Sequence, residues 1–214
     1  MNKFWFAVYT DRERSTSFGC DMRLIALLPF FAGALVGQTF EAGVHGGVSR
    51  LDGKDIGTFR VGDVTRLSLQ DGWRIGFRMT LNNWTYFGQE YGYTYNRTAI
   101  RDPESTPSDF GTAFHQGSFN FLAYATPEGK TVRPFISGGG HFSNYLIPGL
   151  SVSSGAGSNK FGFNYGGGLK VRVSEMFLIR FDARQYVNGK PFDFPNQSGM
   201  IRQLEISAGF SFVM

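Results

Sequence analysis

The run from Phe161 to Ser174, FGFNYGGGLKVRVS, restricts the fold of this chain more than any other stretch. Phe161, Phe163, Tyr165, Gly167, Leu169, Val171 and Val173 share one parity, and Gly162, Asn164, Gly166, Gly168, Lys170, Arg172 and Ser174 share the other. Successive side chains on a strand point to opposite faces. The segment therefore reads as a strand with one aromatic and aliphatic face and one face of glycine, amide and cation. A strand of about 9 to 11 residues, tilted by roughly 45°, crosses the hydrocarbon core of a bilayer, and this run is long enough to do so.

The same alternation recurs along the chain and predicts eight strands. In the first, Phe40, Ala42, Val44 and Val48 oppose Glu41, His45 and Ser49. In the second, Trp73, Ile75, Phe77, Met79 and Leu81 oppose Arg74, Arg78 and Thr80. The third, from Thr85 to Asn96, sets Tyr91, Tyr93 and Tyr95 against Glu90, Thr94 and Asn96. A two-residue turn at Asn82-Asn83 does not reconcile its tyrosines with Trp84 and Tyr86, so a bulge or a longer turn is expected there. The fourth sets Phe119, Phe121 and Ala123 against Gln116, Ser118, Asn120 and Tyr124. The fifth runs from Val132 to Tyr145, with Val132, Ile136 and Phe142 on one side and Ser137, His141 and Ser143 on the other. Phe161 to Ser174 is the sixth. The seventh sets Phe177, Ile179, Phe181 and Ala183 against Arg180, Asp182 and Arg184, and the eighth Leu204, Ile206, Phe210 and Phe212 against Gln203, Glu205, Ser207 and Ser211.

Connections alternate in length. Asn82-Asn83, Thr126 to Lys130 and Ser174 to Met176 are short, whereas Asp52 to Gly72, Arg97 to Ala113, Ile147 to Lys160 and Asn188 to Met200 are long and rich in turn residues. Short turns at one end and long loops at the other mark an all-β, eight-stranded antiparallel up-and-down transmembrane barrel, with both mature termini on the periplasmic side of a Gram-negative-type outer membrane. Met22 to Gly37, MRLIALLPFFAGALVG, has the arginine, the apolar run and the small-residue ending of a signal peptide and is too short to span as a helix. Residues 1–37 are thus a leader, cleaved near Gly37 or Gln38, and 38–214 the barrel. The charged preface before Met22 makes Met22 the alternative translation start. Cys20 precedes the apolar run, which argues against a lipoprotein anchor, and a lone cysteine allows no disulfide framework.

Alternation alone does not separate a membrane barrel from a soluble one with an apolar lumen. The leader, the loop alternation and the aromatics near strand ends, at Trp73, Trp84, Tyr86, Tyr145, Phe161 and Phe177, favour the membrane form with an interfacial girdle. The polar face then becomes the lumen. Arg78, Glu90, Lys170, Arg172, Arg180, Asp182, Arg184 and Glu205 lie on it, and the heights of neighbouring strands pair Arg78 with Glu90 and Arg184 with Glu205. Composition agrees, since charged residues make up only 18% while 29 glycines and 23 phenylalanines stand out in 214 residues. The net charge of +4 is spread singly along the chain, without the basic patch that nucleic-acid binding requires.

With strand count, loop alternation, charged lumen and the terminal strand LEISAGFSFVM in hand, Gln38 to Met214 resembles the small eight-stranded outer-membrane barrels of the OmpA transmembrane domain and OmpX type. The resemblance implies a monomer embedded in outer-membrane lipid and lipopolysaccharide. It also implies recognition by the barrel-assembly machinery through a terminal aromatic strand, here Phe210, Phe212 and Met214. One segment points elsewhere. His141-Phe142-Ser143-Asn144 is similar to the His-x-Ser-Asn signature of PagL-type lipid A deacylases, in which the histidine activates the serine, but no acid follows before Glu175. No phosphate loop, cofactor motif or metal set is recognisable, as His45, His115 and His141 fall on separate strands. The reading is a non-enzymatic barrel acting through its long loops, with a PagL-like deacylase as the alternative and a narrow pore third.

Overall fold

Strands that alternate apolar and polar residues need a partner on both edges and a separate medium on each face. A sheet that closes on itself meets the first need completely. The computed structural model describes residues 39–58, 62, 64–146 and 157–214; the leader, with Cys20 and Met22 to Gly37, lies outside the described residues. Eight long strands form the wall: β1 (Thr39–Asp52), β4 (Gly72–Trp84), β5 (Phe87–Arg101), β6 (Asp109–Tyr124), β7 (Val132–Leu146), β8 (Gly157–Arg172), β9 (Phe177–Gly189) and β10 (Met200–Val213). Each pairs antiparallel with its sequence neighbour, and β1 pairs with β10, from Glu41 opposite Val213 to Asp52 opposite Arg202, which closes the barrel.

The expected parity holds along every wall strand. Phe77, Tyr91, Phe121, Ile136, Phe163, Phe181, Ile206 and Phe210 are exposed on the outside, while Arg78, Glu90, Asn120, Ser137, Asn164, Asp182 and Glu205 are buried within. A water-filled exterior would leave this apolar belt far larger than soluble monomers expose. Trp73 and Phe161 sit towards the long-loop end of the belt, and Trp84, Tyr86 and Phe177 at the short-turn end, as interfacial girdles do. Tyr145 corrects the expected girdle. It is 2% exposed, points inward and stacks on Phe114 at 4.7 Å, because its parity on β7 is that of His141 and Ser143.

Two further features depart from the alternation. The short turn after β4 lies at Thr85-Tyr86, not at Asn82-Asn83. The register slips between Leu81 and Trp84, so Asn82 stays in the strand and faces the lumen while Trp84 swings out. This bulge reconciles the parity of Trp84 with that of the β5 tyrosines. The loop after β1 also contains two short strands, β2 (Asp55–Gly57) and β3 (Leu67–Leu69), which pair with each other, and β3 adds to the edge of β5. Ile56, Leu67 and Leu69 turn inward to join Leu51, Ile100, Phe114, Tyr145 and Ile201, with Phe192 and Phe194 packed against them. An apolar cap thus covers the long-loop end of the lumen.

Candidate functional site

The interior is the chemically richest part of the molecule, and it is layered. At the short-turn end Lys170 Nζ donates to Glu41 at 2.5 Å and to Tyr124 Oη at 2.8 Å, and Tyr124 donates in turn to Asn82 at 2.7 Å. Asn82 donates to Glu41 at 2.8 Å. The Arg133 guanidinium lies 3.5 Å from the centroid of the Tyr124 ring and donates to the Thr85 carbonyl at 2.9 Å. In the next layer Glu90 is ion-paired with Arg180 at 2.6 Å and accepts from Arg184 at 2.7 Å. Asp182 binds Arg78 at 2.6 Å, Arg180 at 2.9 Å and Arg184 at 3.0 Å, and Arg78 reaches Glu205 at 2.6 Å. Glu205 also accepts from Tyr186 at 2.9 Å and lies 3.3 Å from Arg74. Above it, Gln203 donates to Ser49 and Asn96, and Gln116 donates to Gln203 and Ser143. The apolar cap follows.

Seven of the eight residues expected in a lumenal charge network are buried there. Arg172 is not. It lies half-buried at the strand's end with no ion pair among the described residues, because β8 leaves the wall at that residue. The expected partners are exchanged as well. Arg184 stands directly opposite Glu205 in the register yet binds Glu90 and Asp182, and Arg78 binds Asp182 and Glu205 rather than Glu90. Glycines explain the exchange. Arg78 is flanked by Gly43 and Gly92, so its side chain leans across the barrel instead of along the wall.

Alternation placed Glu41, His45, Arg74, Tyr124 and Tyr186 on the inner face without assigning them to the network, and Arg133 belongs to it too. Buried cations in the barrel (Arg74, Arg78, Arg133, Lys170, Arg180 and Arg184) outnumber the carboxylates Glu41, Glu90, Asp182 and Glu205. Aromatic rings take up the surplus: Arg133 lies over Tyr124, and Arg74 lies 5.0 Å from the centroid of Tyr186. Such a cluster tolerates burial only because nearly every charge has several short contacts.

His141 and Ser143 are both turned inward, 5% and 0% exposed. Ser143 Oγ accepts from Gln116 at 3.2 Å, whereas His141 packs edge-on against Tyr186 and neither ring nitrogen has a hydrogen-bond partner. The two side chains form no dyad. Among the described residues no group of three or more His, Cys, Asp or Glu is placed to hold a metal ion.

No protein-family model matches this sequence, and no curated protein is similar to it. Solved structures are similar in shape. The outer-membrane protein OprG of Pseudomonas aeruginosa superposes with a TM-score of 0.55 at 10% identity, over 83% of this chain and 95% of that one. The N-terminal β-barrel domain of OprF from the same organism gives 0.50 at 13% identity, over 82% and 97%. Neisserial surface protein A gives 0.50 at 13%, over 82% and 96%. The fold is that of the small eight-stranded outer-membrane β-barrels.

Proposed function

We propose that this chain is a non-enzymatic, monomeric integral outer-membrane protein whose barrel is an anchor and whose long loops form its working surface. The observation that carries this reading is the pairing of a continuous exposed apolar belt with a lumen filled by ion pairs and closed by the apolar cap. Residues 1–37 act as the cleaved leader, both mature termini lie in the periplasm, and Phe210, Phe212 and Met214 present the terminal strand to the assembly machinery. The belt meets lipid and the loop-side rim meets lipopolysaccharide. Membrane fractionation, N-terminal sequencing and heat-modifiable gel migration test the proposal together. The expected result is an outer-membrane species starting near Gln38 that migrates faster unheated; a soluble periplasmic protein would overturn it.

The deacylase alternative draws no support from the site. A lipid A deacylase must offer its nucleophile to the bilayer, and Ser143 is enclosed on the opposite side of the wall. Incubation with lipid A is expected to release no 3-hydroxy fatty acid; release abolished by Ser143→Ala would reverse this assignment.

A further inference from the structure

On the outer face of β1, β10, β9 and β8 the register aligns Arg50, Leu204, Gln185 and Tyr165 in one row, and Arg202 stands one pleat nearer the loops, diagonal to Arg50. Together with Asp52 they line a cup of about 300 Å³. Half-buried Leu204 lies between Arg50 and Gln185 in that row, so the floor is apolar while the rim carries two guanidinium groups, an amide and a phenol. Diagonal neighbours on an antiparallel pair lie about 7 to 8 Å apart, close enough for both arginines to reach one ligand and for their charges to repel without it. Neither forms an ion pair or a side-chain hydrogen bond among the described residues, and nor do the side chains of Gln185 and Tyr165. Asp52 faces Arg202 in the register, but its carboxylate accepts the Gly53 N–H at 2.8 Å and forms no ion pair with either arginine. Two cations against one acid leave the cup positive.

The height of the cup limits what reaches it. Val48, one pleat below Arg50, stands opposite the girdle residue Trp73, and the outward row beneath the cup is Val48, Ile206, Ala183 and Gly167. The cup therefore opens where the apolar belt ends, at the headgroup level of the long-loop leaflet. A lipid whose chains lie on that lower row brings its headgroup to both arginines, and their positive charge selects an anionic one. A planar guanidinium pairs with phosphate through two N–H groups. A phosphomonoester, with three free oxygens and about −1.5 to −2 charges at pH 7, can serve two such forks, whereas a diester has fewer free oxygens and less charge.

We infer that this cup binds the phosphomonoester headgroup of one acyl lipid of the long-loop leaflet between Arg50 and Arg202. The inference rests on the membrane reading above and gives the loop-side rim a defined lipid contact. It is tested by folding the barrel into phosphatidylcholine vesicles doped with lipid A, dephosphorylated lipid A or phosphatidylglycerol, extracting it gently and counting retained lipid by native mass spectrometry. One lipid A per barrel is expected, with the dephosphorylated form and phosphatidylglycerol each retained about tenfold less. In variants shown to be folded by heat-modifiable migration, Arg50→Gln and Arg202→Gln should each lower lipid A retention about tenfold, and Arg202→Lys, which keeps the charge but loses the fork, should lower it less. Arg97→Gln removes an exposed, outward-facing arginine at the same end of β5 and should change nothing. Equal retention of lipid A and phosphatidylglycerol by the wild type, an equal loss in the three glutamine variants, no retained lipid, or displacement of lipid A by inorganic phosphate alone would each overturn the site. Failure of the wild-type barrel to insert into the vesicles would instead overturn the membrane reading.

Discussion

Glu90 is wholly enclosed and is shared by two arginines from one strand, Arg180 and Arg184 of β9. Removing its charge leaves both guanidinium groups dependent on Asp182, which already serves Arg78. Glu90→Ala is therefore expected to lower the unfolding free energy by about 3 to 5 kcal/mol, the usual cost of stranding a buried charge. A double-mutant cycle identifies the partner. Coupling between Glu90→Ala and Arg184→Ala should exceed that between Glu205→Ala and Arg184→Ala, although Glu205 is the direct cross-strand neighbour. Denaturant titrations of the detergent-folded protein measure both, and the reverse order would refute the contacts described. Which residues enter the lumen was legible in the sequence, because parity alone fixes the face. Their partners were not. An arginine reaches across a lumen this narrow, so strand adjacency loses its authority over who meets whom. Arg172 shows the complementary limit, since its parity is inward but its strand ends before the lumen encloses it.

Among the elements, β4 carries the one irregularity that alternation detected without locating. The bulge between Leu81 and Trp84 keeps Asn82 inside, where it links Glu41, Tyr124 and Arg133 at the short-turn end. Asn82→Ala should cost about 1 to 3 kcal/mol, because it strips buried groups of their partner. Asn83, half-buried beside it in the bulge and without a bond to Glu41, Tyr124 or Arg133, provides the contrast, and Asn83→Ala should cost less than Asn82→Ala. Equal effects would place the turn where the sequence alone suggested. The strands β2 and β3 were hidden for a different reason: three residues are too few to display a period of two. Their value comes from tertiary packing, with Ile56 and Leu69 fully buried in the cap. Leu69→Ala removes buried methyl groups from a unit that touches the barrel only at its rim. It should release β2 and β3 locally, seen as faster proteolysis after Arg66, while the midpoint of global unfolding hardly moves. A large fall in global stability would mean that the cap and wall unfold as one.

At the scale of the whole molecule the question is whether anything passes through. An ion entering at the short-turn end meets Tyr124 sandwiched by Arg133 and flanked by Lys170, then the layer in which Arg78, Arg180 and Arg184 are bound to Glu90, Asp182 and Glu205. Moving through that layer means separating short ion pairs in a region with little water to replace them. Beyond Gln116 and Gln203 it meets Leu51, Ile56, Leu67, Leu69 and Ile201, whose apolar side chains cannot take over its hydration. Each barrier alone opposes conduction, and they act in series. Eight strands leave room for side chains and little else, so the barrel itself gives no bypass. The wild-type protein, shown to be folded by its heat-modifiable migration, is therefore expected to produce no resolved conductance steps in planar bilayers. Leu69→Ala should also remain silent, because loosening the cap leaves the ion-pair layer in place. Discrete steps from the folded wild type would show that the network rearranges on a scale the static contacts do not suggest, and would move the narrow-pore reading ahead of the sealed anchor.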